Sequence, residues 1–96
     1  MAEITVVARV VANADAVEAV KAELLKMIEP TRREEGCIAY TLHQDTADPA
    51  LFIFYETWES AVHLDRHMTT DHFTRYVAAV DGLLRDKVVH RLTRIA

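Results

Sequence analysis

The sequence is poor in the residues that disulfides, nucleotide loops and membrane spans require. Its single cysteine, Cys37, excludes an intrachain disulfide framework and fits a reducing cytoplasm. With two glycines, the chain has no glycine-rich phosphate loop, and no nucleophile elbow occurs. Glu3 and Arg9 interrupt the first apolar segment, and nothing approaches the roughly 18 apolar residues that span a bilayer. We therefore expect a cytoplasmic protein without a signal peptide or a membrane partner.

An excess of positive charge is also absent. The 11 Lys and Arg residues are scattered among 15 Asp and Glu residues, so no surface for nucleic acid is expected. A length of 96 residues suits a single domain, spanning 1–96. A chain of this length buries only about two-thirds of its unfolded surface, so a second subunit would add stability.

Hydrophobic periodicity predicts strands and helices in alternation. Segments rich in β-branched and aromatic residues predict four strands, at residues 4–11, 37–44, 51–58 and 88–95. Helical spacing predicts a helix from about residue 17 with a kink or a tightened last turn at Pro30, a short helix from Ser60 through about His67, and another beginning at Thr70 or Asp71. The order strand-helix-strand-strand-helix-strand is the ferredoxin-like α+β plan, an antiparallel sheet with helices on one face.

The third predicted strand has no polar face. Alternate side chains of a strand point to opposite sides of a sheet. One side carries an aromatic layer with a single carboxylate: Phe52, Phe54, Glu56 and Trp58. The other side is apolar as well, with Ile53 and Tyr55, and beside them we expect Ile38, Tyr40 and Leu42. Because helices cover one face only, the apolar open face predicts a homodimer in which two sheets pack together.

The pairing of the second and third strands decides which residues share the aromatic layer. The favoured hairpin has these pairs: His43 with Phe52, Thr41 with Phe54, Ala39 with Glu56 and Cys37 with Trp58. Small side chains would then face large ones and leave room for a cavity under the helices. A slip by one residue would exchange the two faces of the second strand.

Glu56 is the candidate for chemistry in the aromatic layer. Its aromatic neighbours would raise its pKa, which suits a general base or a hydrogen-bond anchor. The alternative is a buried carboxylate paired with an arginine such as Arg32 or Arg9. Trp58 supplies buried area, and its ring could equally form one wall of a pocket for a flat aromatic substrate.

Four of the five histidines lie near the third strand or just after it. His67 and His72 are candidates for proton handling, because imidazole titrates near neutral pH, although each could also be a surface or helix-end residue. His63 and His67 are four apart on one helix face, a spacing that can hold a metal with His72 or Glu56 as third ligand. No HExxH motif accompanies them, so we predict no metal.

An ordered set of residues runs through nearly the whole chain: Thr31-Arg32, E-G-C-x-x-Y from Glu35, Phe52, Y-E-x-W from Tyr55 and H-x-x-x-x-H-F from His67. This set resembles the antibiotic biosynthesis monooxygenase domain family, and most closely its small stand-alone quinol monooxygenase members. The resemblance implies a ferredoxin-like homodimer that forms a dimeric α+β barrel, with a pocket between sheet and helices in each subunit. It also implies oxygenation of a quinol-like or polycyclic aromatic substrate by dioxygen without a metal, flavin or haem cofactor.

The resemblance further implies roles for individual residues. Glu56, His67 or His72 would take the phenolic proton, and Trp58 would line the pocket beside them. We expect the substrate to contact a mixed set of apolar and polar side chains: Phe52, Phe54, Phe73, His43 and Arg32.

Two other functions stay open on the sequence. One is an isomerase or lyase acting on a small phosphorylated signalling compound, as in another branch of the resembled family, with cationic contacts from Arg32 or Arg75. The other is a non-catalytic dimer that binds a small molecule. Haem degradation is disfavoured, because family members with that activity use an Asn on the first strand and residues 4–10 contain none.

Overall fold

A computed structural model describes residues 2–96. Strands and helices follow the chain in this order: β1 (Ile4–Ala12), α1 (Val17–Leu25), α2 (Ile28–Arg32), β2 (Cys37–Gln44), β3 (Leu51–Trp58), α3 (Ala61–His67), α4 (Asp71–Ala79) and β4 (Leu84–Leu92). The strands form one antiparallel sheet in the order β2-β3-β1-β4. The ferredoxin-like α+β fold predicted from the sequence is therefore confirmed. No helix of the described residues has the length and apolar character needed to cross a membrane.

The core lies between the helices and one face of the sheet. On β1, Val6, Ala8 and Val10 are buried on the covered face, whereas Val7 and Arg9 point to the other side and are half-buried. β3 alternates in the same way, and its buried side chains are those of the predicted aromatic layer: Phe52, Phe54, Glu56 and Trp58. The period of two in the sequence thus predicts correctly which side of β3 is covered.

Two side-chain caps fix where α3 and α4 begin. The Ser60 hydroxyl accepts a hydrogen bond from the backbone N–H of His63, and the Thr70 hydroxyl accepts one from that of Phe73. Both hydroxyls satisfy N–H groups that have no acceptor within their own helix. These helix starts agree with the predicted ones.

The helical segment after β1 is broken earlier than predicted. α1 ends at Leu25 and α2 begins at Ile28, so the break falls at Lys26 and Met27. Pro30 is the third residue of α2, where a backbone N–H would have no helical acceptor, and a proline is tolerated there. Of the two alternatives predicted at Pro30, the kink is therefore wrong in position. The tightened last turn agrees with the hydrogen bond from the Glu34 backbone N–H to the Thr31 carbonyl oxygen at 3.0 Å, which spans three residues.

The predicted pairing of β2 with β3 is wrong over most of the hairpin. Cys37 lies opposite Trp58 as predicted, but the register then shifts by one residue at Ile38. The later pairs include Ala39 with Thr57, Tyr40 with Glu56, Thr41 with Tyr55, Leu42 with Phe54 and His43 with Ile53. Tyr40 and Leu42 consequently face the helices, and the expectation that they lie on the open face is also wrong.

The turn between the two strands explains this register. The Asp45 carboxylate accepts hydrogen bonds from the backbone N–H groups of Ala47 and Asp48, at 3.0 and 2.8 Å. The Asp45 backbone N–H donates to the Leu51 carbonyl oxygen at 2.9 Å, which centres the turn on Asp48 instead of between Ala47 and Asp48. A half-residue change in the centre moves each pair from Ala39 to Gln44 by one residue, and this exchanges the faces of that part of β2.

The open face of the sheet carries apolar side chains from β3 and β4. Tyr55 of β3 is 46% exposed and Leu92 of β4 is 42% exposed, with Ile53 and Val88 on the same side.

β4 begins at Leu84, four residues before the predicted start, because it pairs with β1 along nearly its whole length.

Candidate active site

A cavity of about 380 Å³ lies between the sheet and the helices α3 and α4. Its walls are mostly apolar, and they include Val6, Ala8, Val10, Phe54, Leu64 and Phe73. The space lies over the small side chains of β1 and over β4, where Val89 pairs with Ala8. The sequence predicted room over the small residues of β2, but Tyr40 fills that position.

Six polar or ionisable side chains also border the cavity: Tyr40, Glu56, His67, Tyr76, Lys87 and Arg91. Glu56 and His67 are buried, at 4% and 2% exposure, whereas Lys87 and Arg91 are exposed residues of β4. The ionisable groups in the interior are therefore separated from the charged rim by apolar wall. A volume above roughly 300 Å³ is typical of cavities that enclose a small organic ligand.

Glu56 has a single hydrogen-bond donor among the described side chains. The Trp58 Nε1–H donates to Oε1 of Glu56 at 2.9 Å, and both residues are buried. Burial raises the pKa of Glu56 to about 7; the Trp58 hydrogen bond opposes this rise, and the charge of Glu34 adds to it. A carboxyl group with a pKa near 7 can take up and return a proton at neutral pH.

Glu56 forms no ion pair with any described residue. Arg9 instead pairs with Asp86, with 2.7 Å between Nη1 and Oδ2. Arg32 donates from Nε to the carbonyl oxygen of Tyr40 at 3.1 Å. The alternative in which Glu56 is neutralised by one of these arginines is therefore wrong, and the carboxylate is available to the cavity.

Glu34 contacts both histidines that the sequence indicated as candidates for proton handling, His67 and His72. The Nδ1 of His67 lies 2.6 Å from Oε2 of Glu34, and the Nε2 of His72 lies 2.8 Å from the same oxygen. His67 borders the cavity, but Glu34 and His72 do not. The Nδ1 edge of the His67 ring is thus turned away from the cavity. The indole ring of Trp58 packs against the His67 ring, with 4.9 Å between the two ring centroids.

The electrostatics of His67 favour a neutral ring. Burial lowers the pKa of His67 below its ordinary value, although the hydrogen bond and charge of Glu34 act in the opposite direction. The positive charge that His72 can carry lowers the pKa further. A neutral imidazole beside a carboxylate places its proton on the nitrogen that contacts the carboxylate, which here is Nδ1.

Two tyrosines keep their phenolic protons at the cavity wall. Burial and the charge of Glu56 raise the pKa of Tyr40 and raise that of Tyr76 to about 12. The Tyr40 ring stacks on Phe54, with centroids 4.9 Å apart. Both phenols are therefore neutral O–H groups near neutral pH, and such groups can donate a hydrogen bond to an anion.

Glu34, His67 and His72 are also the described residues whose donor atoms could surround a metal ion, since these atoms lie within 4.8 Å of one another. The Glu34 oxygen is only 2.6 and 2.8 Å from the two nitrogens. Two ligands of a tetrahedral zinc lie about 3.4 Å apart, so the present spacing is that of hydrogen bonds. His63, whose spacing from His67 in the sequence could also hold a metal, lies outside this group, with Nδ1 2.8 Å from the Ser60 hydroxyl.

The structure brings together some of the predicted site residues and separates others. Four of them border the cavity, namely Phe54, Glu56, His67 and Phe73. Trp58 and His72 do not border the cavity. Trp58 is hydrogen-bonded to Glu56, and His72 is hydrogen-bonded to Glu34. Phe52 is buried in the core but is not part of the cavity wall.

Two residues predicted to contact the substrate do not border this cavity. His43 pairs with Ile53 and is exposed on the open face, because the register of β2 differs from the predicted one. Arg32 does not border this cavity; its exposed side chain is held by the Tyr40 carbonyl group. The lining of the cavity within one chain therefore includes neither His43 nor Arg32.

Sequence reasoning missed Glu34, Tyr40 and Tyr76. Glu34 stands in the charged run R-R-E-E, which has the composition of a solvated helix end. Tyr40 was assigned to the wrong face with the register. Tyr76 follows Phe73 at helical spacing in α4, and that spacing indicates burial without indicating a cavity.

Gly36 holds this region together at a point where no side chain fits. Its φ of +86° lies in the left-handed region, and a Cβ built there would overlap the imidazole of His63. Its carbonyl oxygen accepts a hydrogen bond from the backbone N–H of Glu59 at 2.9 Å. This close approach of the start of β2 to α3 keeps Glu34 beside His67.

The fold and the cavity define a ferredoxin-like α+β protein in which a buried carboxylate without an ion pair among residues 2–96 and a neighbouring imidazole border an apolar cavity. The model of the antibiotic biosynthesis monooxygenase family matches residues 3–79. The chain belongs to this family.

Individual relatives agree with this assignment. The Mycobacterium tuberculosis protein named "Putative monooxygenase Rv0793" is 38% identical over 81 residues, which are 84% of this chain and 79% of that protein. The Escherichia coli K12 protein named "Probable quinol monooxygenase YgiN" is 33% identical over 73 residues, or 68% of this chain and 70% of its own length. The crystal structure of PA3566 from Pseudomonas aeruginosa superposes with a TM-score of 0.95 at 35% identity, covering 100% of this chain and 97% of the other.

Proposed function

We propose that this chain is a cofactor-independent monooxygenase that uses dioxygen to oxidise a quinol-like or polycyclic aromatic substrate. The observation that carries the proposal is the state of Glu56, a buried carboxylate with one N–H donor and no cationic partner among the described residues. A buried carboxylate of this kind costs stability, so its presence at a cavity suggests a chemical role. Membership of the family and the names of the relatives support oxygenase chemistry.

The proposed reaction begins with proton transfer. The phenolic O–H of the substrate gives its proton to Glu56, and the phenolate passes one electron to dioxygen. The resulting radical and superoxide combine at a ring carbon that still carries hydrogen, which forms a C–O bond. Glu56 then returns its proton to the terminal peroxide oxygen.

The second half of the reaction breaks the O–O bond. His67 takes the hydrogen of the oxygenated carbon as a proton, a carbonyl group forms, and hydroxide leaves. The hydroxide takes up the proton held by His67 and becomes water. A phenol and dioxygen are thus converted to a quinone and water, with both electron pairs supplied by the substrate and no other reductant consumed.

The cavity wall suits the charges that form during these reaction steps. The neutral O–H groups of Tyr40 and Tyr76 can donate to a phenolate or peroxide oxygen, and such donors stabilise anions best where water is excluded. The apolar walls from β1 and Phe54 match a flat aromatic ring. A cavity without bulk water also protects the radical pair from side reactions.

A second copy of the chain is proposed to cover the open face. Tyr55 and Leu92 are 46% and 42% exposed there, and a sheet of this kind normally packs against another layer. The domain is small, so burial of this face would add to its stability. The proposed assembly is a homodimer in which each subunit keeps its own cavity.

The oxygen requirement is the test of the proposed activity. Metal-stripped protein is mixed with a panel of hydroquinones, naphthols and anthrones, and quinone formation is followed with air or under argon. We expect turnover in air, none under argon, and a loss of roughly 100-fold or more in kcat for Glu56→Gln. Undiminished turnover under argon would contradict the oxygenase proposal.

The alternative on phosphorylated compounds is tested in the same screen by thermal stabilisation. Arg32 and Arg75, which were expected to supply its cationic contacts, do not border the main cavity. Stabilisation by sugar phosphates but by no aromatic compound would favour that alternative. Stabilisation by aromatic compounds without turnover would favour a non-catalytic binding dimer.

A further inference from the structure

The hydrogen bonds of Glu34 connect two separate cavities. His67, on one side of the carboxylate, borders the main cavity described above. His72, on the other side, borders a second cavity of about 280 Å³ between α1, α2 and α4. A single oxygen of Glu34 contacts both rings, at 2.6 and 2.8 Å.

The second cavity differs from the first in polarity and access. Its wall includes Glu23, Lys26 and Arg75 beside His72. Lys26 and Arg75 are exposed side chains, so the second cavity opens to solvent between charged groups. A proton that reaches His72 can therefore leave to bulk water, whereas one on His67 is enclosed by Trp58, Tyr40 and Phe73.

We propose that His67, Glu34 and His72 form a proton relay between the main cavity and the second cavity, with Glu34 as the positioning residue that keeps the proton of His67 on Nδ1. The Nε2 of His67 is then free to accept a proton in the main cavity. The relay serves the oxygenase activity proposed above, but its geometry does not depend on that activity.

The transfers follow the hydrogen bonds in order. His67 accepts a proton on Nε2 and gives its Nδ1 proton to Oε2 of Glu34. A neutral His72 carries its proton on Nε2 against the Glu34 carboxylate. Once Glu34 has taken the proton, His72 exchanges its Nε2 proton for one on Nδ1 through the solvent-open second cavity. The bare Nε2 then accepts the proton of Glu34, and the Nδ1 proton leaves to solvent. The reverse order brings a proton back, so each passage moves one proton and leaves every bond between heavy atoms unchanged.

Other polar groups around the relay are compatible with these transfers. The Thr70 hydroxyl donates to the carbonyl oxygen of His67 at 2.8 Å and lies 3.3 Å from Nε2 of His72, where it can accept a hydrogen bond from that nitrogen between transfers. Besides Glu34 and His72, the ionisable groups that face His67 are Tyr40 of β2 and Glu56 of β3, with Tyr76 of α4 further along the wall. Glu56 thus lies within the same cavity as the relay entrance. The relay keeps His67 neutral between its uptake of the substrate proton and its return of a proton to hydroxide.

The position of the proton on His67 is measured without substrate. Long-range nitrogen–proton NMR spectra of the full chain distinguish a protonated from an unprotonated ring nitrogen. We expect Nδ1–H and a bare Nε2 for His67 in the wild-type chain and in Glu35→Gln, a control with 84% of its side chain exposed. Glu34→Ala is expected to lose this preference for the Nδ1–H tautomer. Glu34→Gln is expected to keep the fold and to weaken the preference.

The outcome separates the relay from the oxygenase activity. An Nε2–H tautomer of His67 in the wild-type chain overturns the relay, even if oxygenase turnover is observed. The expected tautomer in a chain that never consumes dioxygen supports the positioning role of Glu34 and counts against the proposed function alone.

The exit step is tested by chemical rescue in the active protein. His72→Ala is expected to slow kcat by roughly tenfold or more in weak buffer, with KM unchanged, and added imidazole is expected to restore the rate through the solvent-open second cavity. A merely structural role for His72 predicts no rescue. Wild-type kcat for His72→Ala in weak buffer, or a loss that imidazole does not restore, would overturn the exit through His72.

Discussion

The indole N–H of Trp58 donates to Oε1 of Glu56 over 2.9 Å while both side chains are almost completely buried. The two residues are two places apart on β3 and so point to the same side of the sheet. This donor stabilises the ionised form of Glu56 and opposes the effect of burial on its pKa. Trp58 therefore tunes the basicity of the carboxylate from behind the cavity wall.

The first prediction concerns this hydrogen bond. Trp58→Phe removes the donor, so the pKa of Glu56 should rise further above 7. A hydrogen bond to a charged group is worth about 1.5–3 kcal/mol, which corresponds to a rise of about one pKa unit or more. The acid limb of the pH profile of kcat/KM should move to higher pH by that amount. An unmoved limb in an active variant would show that another group controls the profile.

The second prediction concerns stability against pH. Glu56 titrates near pH 7 when folded and has an ordinary value of 4.5, so the folded chain binds more protons between these values. The unfolding free energy of the wild-type chain should therefore lose up to about 3 kcal/mol as pH rises from 4.5 through 7. Glu56→Gln is neutral at every pH and escapes this loss.

Urea unfolding at pH 4 and pH 8 measures this difference. Glu56→Gln should be more stable than the wild-type chain at pH 8 and close to it at pH 4. Glu59→Gln serves as the matched control, since Glu59 is exposed just after the same strand. Equal stability of Glu56→Gln and the wild-type chain at both pH values would mean that burial does not perturb Glu56.

The third prediction concerns Gly36. Gly36→Ala places a Cβ against the His63 ring at a φ of +86°, where side chains are disfavoured. We expect a loss of about 1–3 kcal/mol in unfolding free energy from the backbone alone, and more from the contact with His63. Gly82→Ala is the control, because Gly82 has a φ of +78° but open space around it. Equal losses for the two variants would show that the contact with His63 is unimportant.

The fourth prediction concerns assembly. Tyr55→Lys places a charge in the middle of the open face, so it should convert the proposed dimer to a monomer at micromolar concentration. Val62→Lys changes a side chain of similar exposure on α3, away from that face, and should leave the dimer intact. Sedimentation velocity reports both. A wild-type chain that sediments as a monomer would contradict the proposed homodimer.

The sequence predicts the fold where local signals agree with the tertiary contacts. The alternation of β3 correctly separates Phe54 and Glu56 from Ile53 and Tyr55, because strand period alone decides the face. The hydroxyls of Ser60 and Thr70 correctly mark two helix starts, because a cap is a local interaction. These features require no knowledge of distant residues.

The register of β2 could not be obtained in the same way. It depends on the irregularity at Ile38 and on how the Asp45 carboxylate binds the turn, and neither has a unique sequence signal. The error placed His43 in the site and Tyr40 outside it. Glu34 was missed for a related reason, because only the folded chain brings it to His67 from 33 residues away.

The most direct test of the central claim is the fate of the oxygen atoms. Metal-stripped protein and a phenol with a free ring position are allowed to react under ¹⁸O₂, and the quinone is analysed by mass spectrometry after a brief reaction. The proposed chemistry predicts one ¹⁸O atom in each new quinone carbonyl and the other in water, with loss of label incorporation in Glu56→Gln. A quinone formed at the same rate without ¹⁸O would contradict the claim that this chain is a monooxygenase.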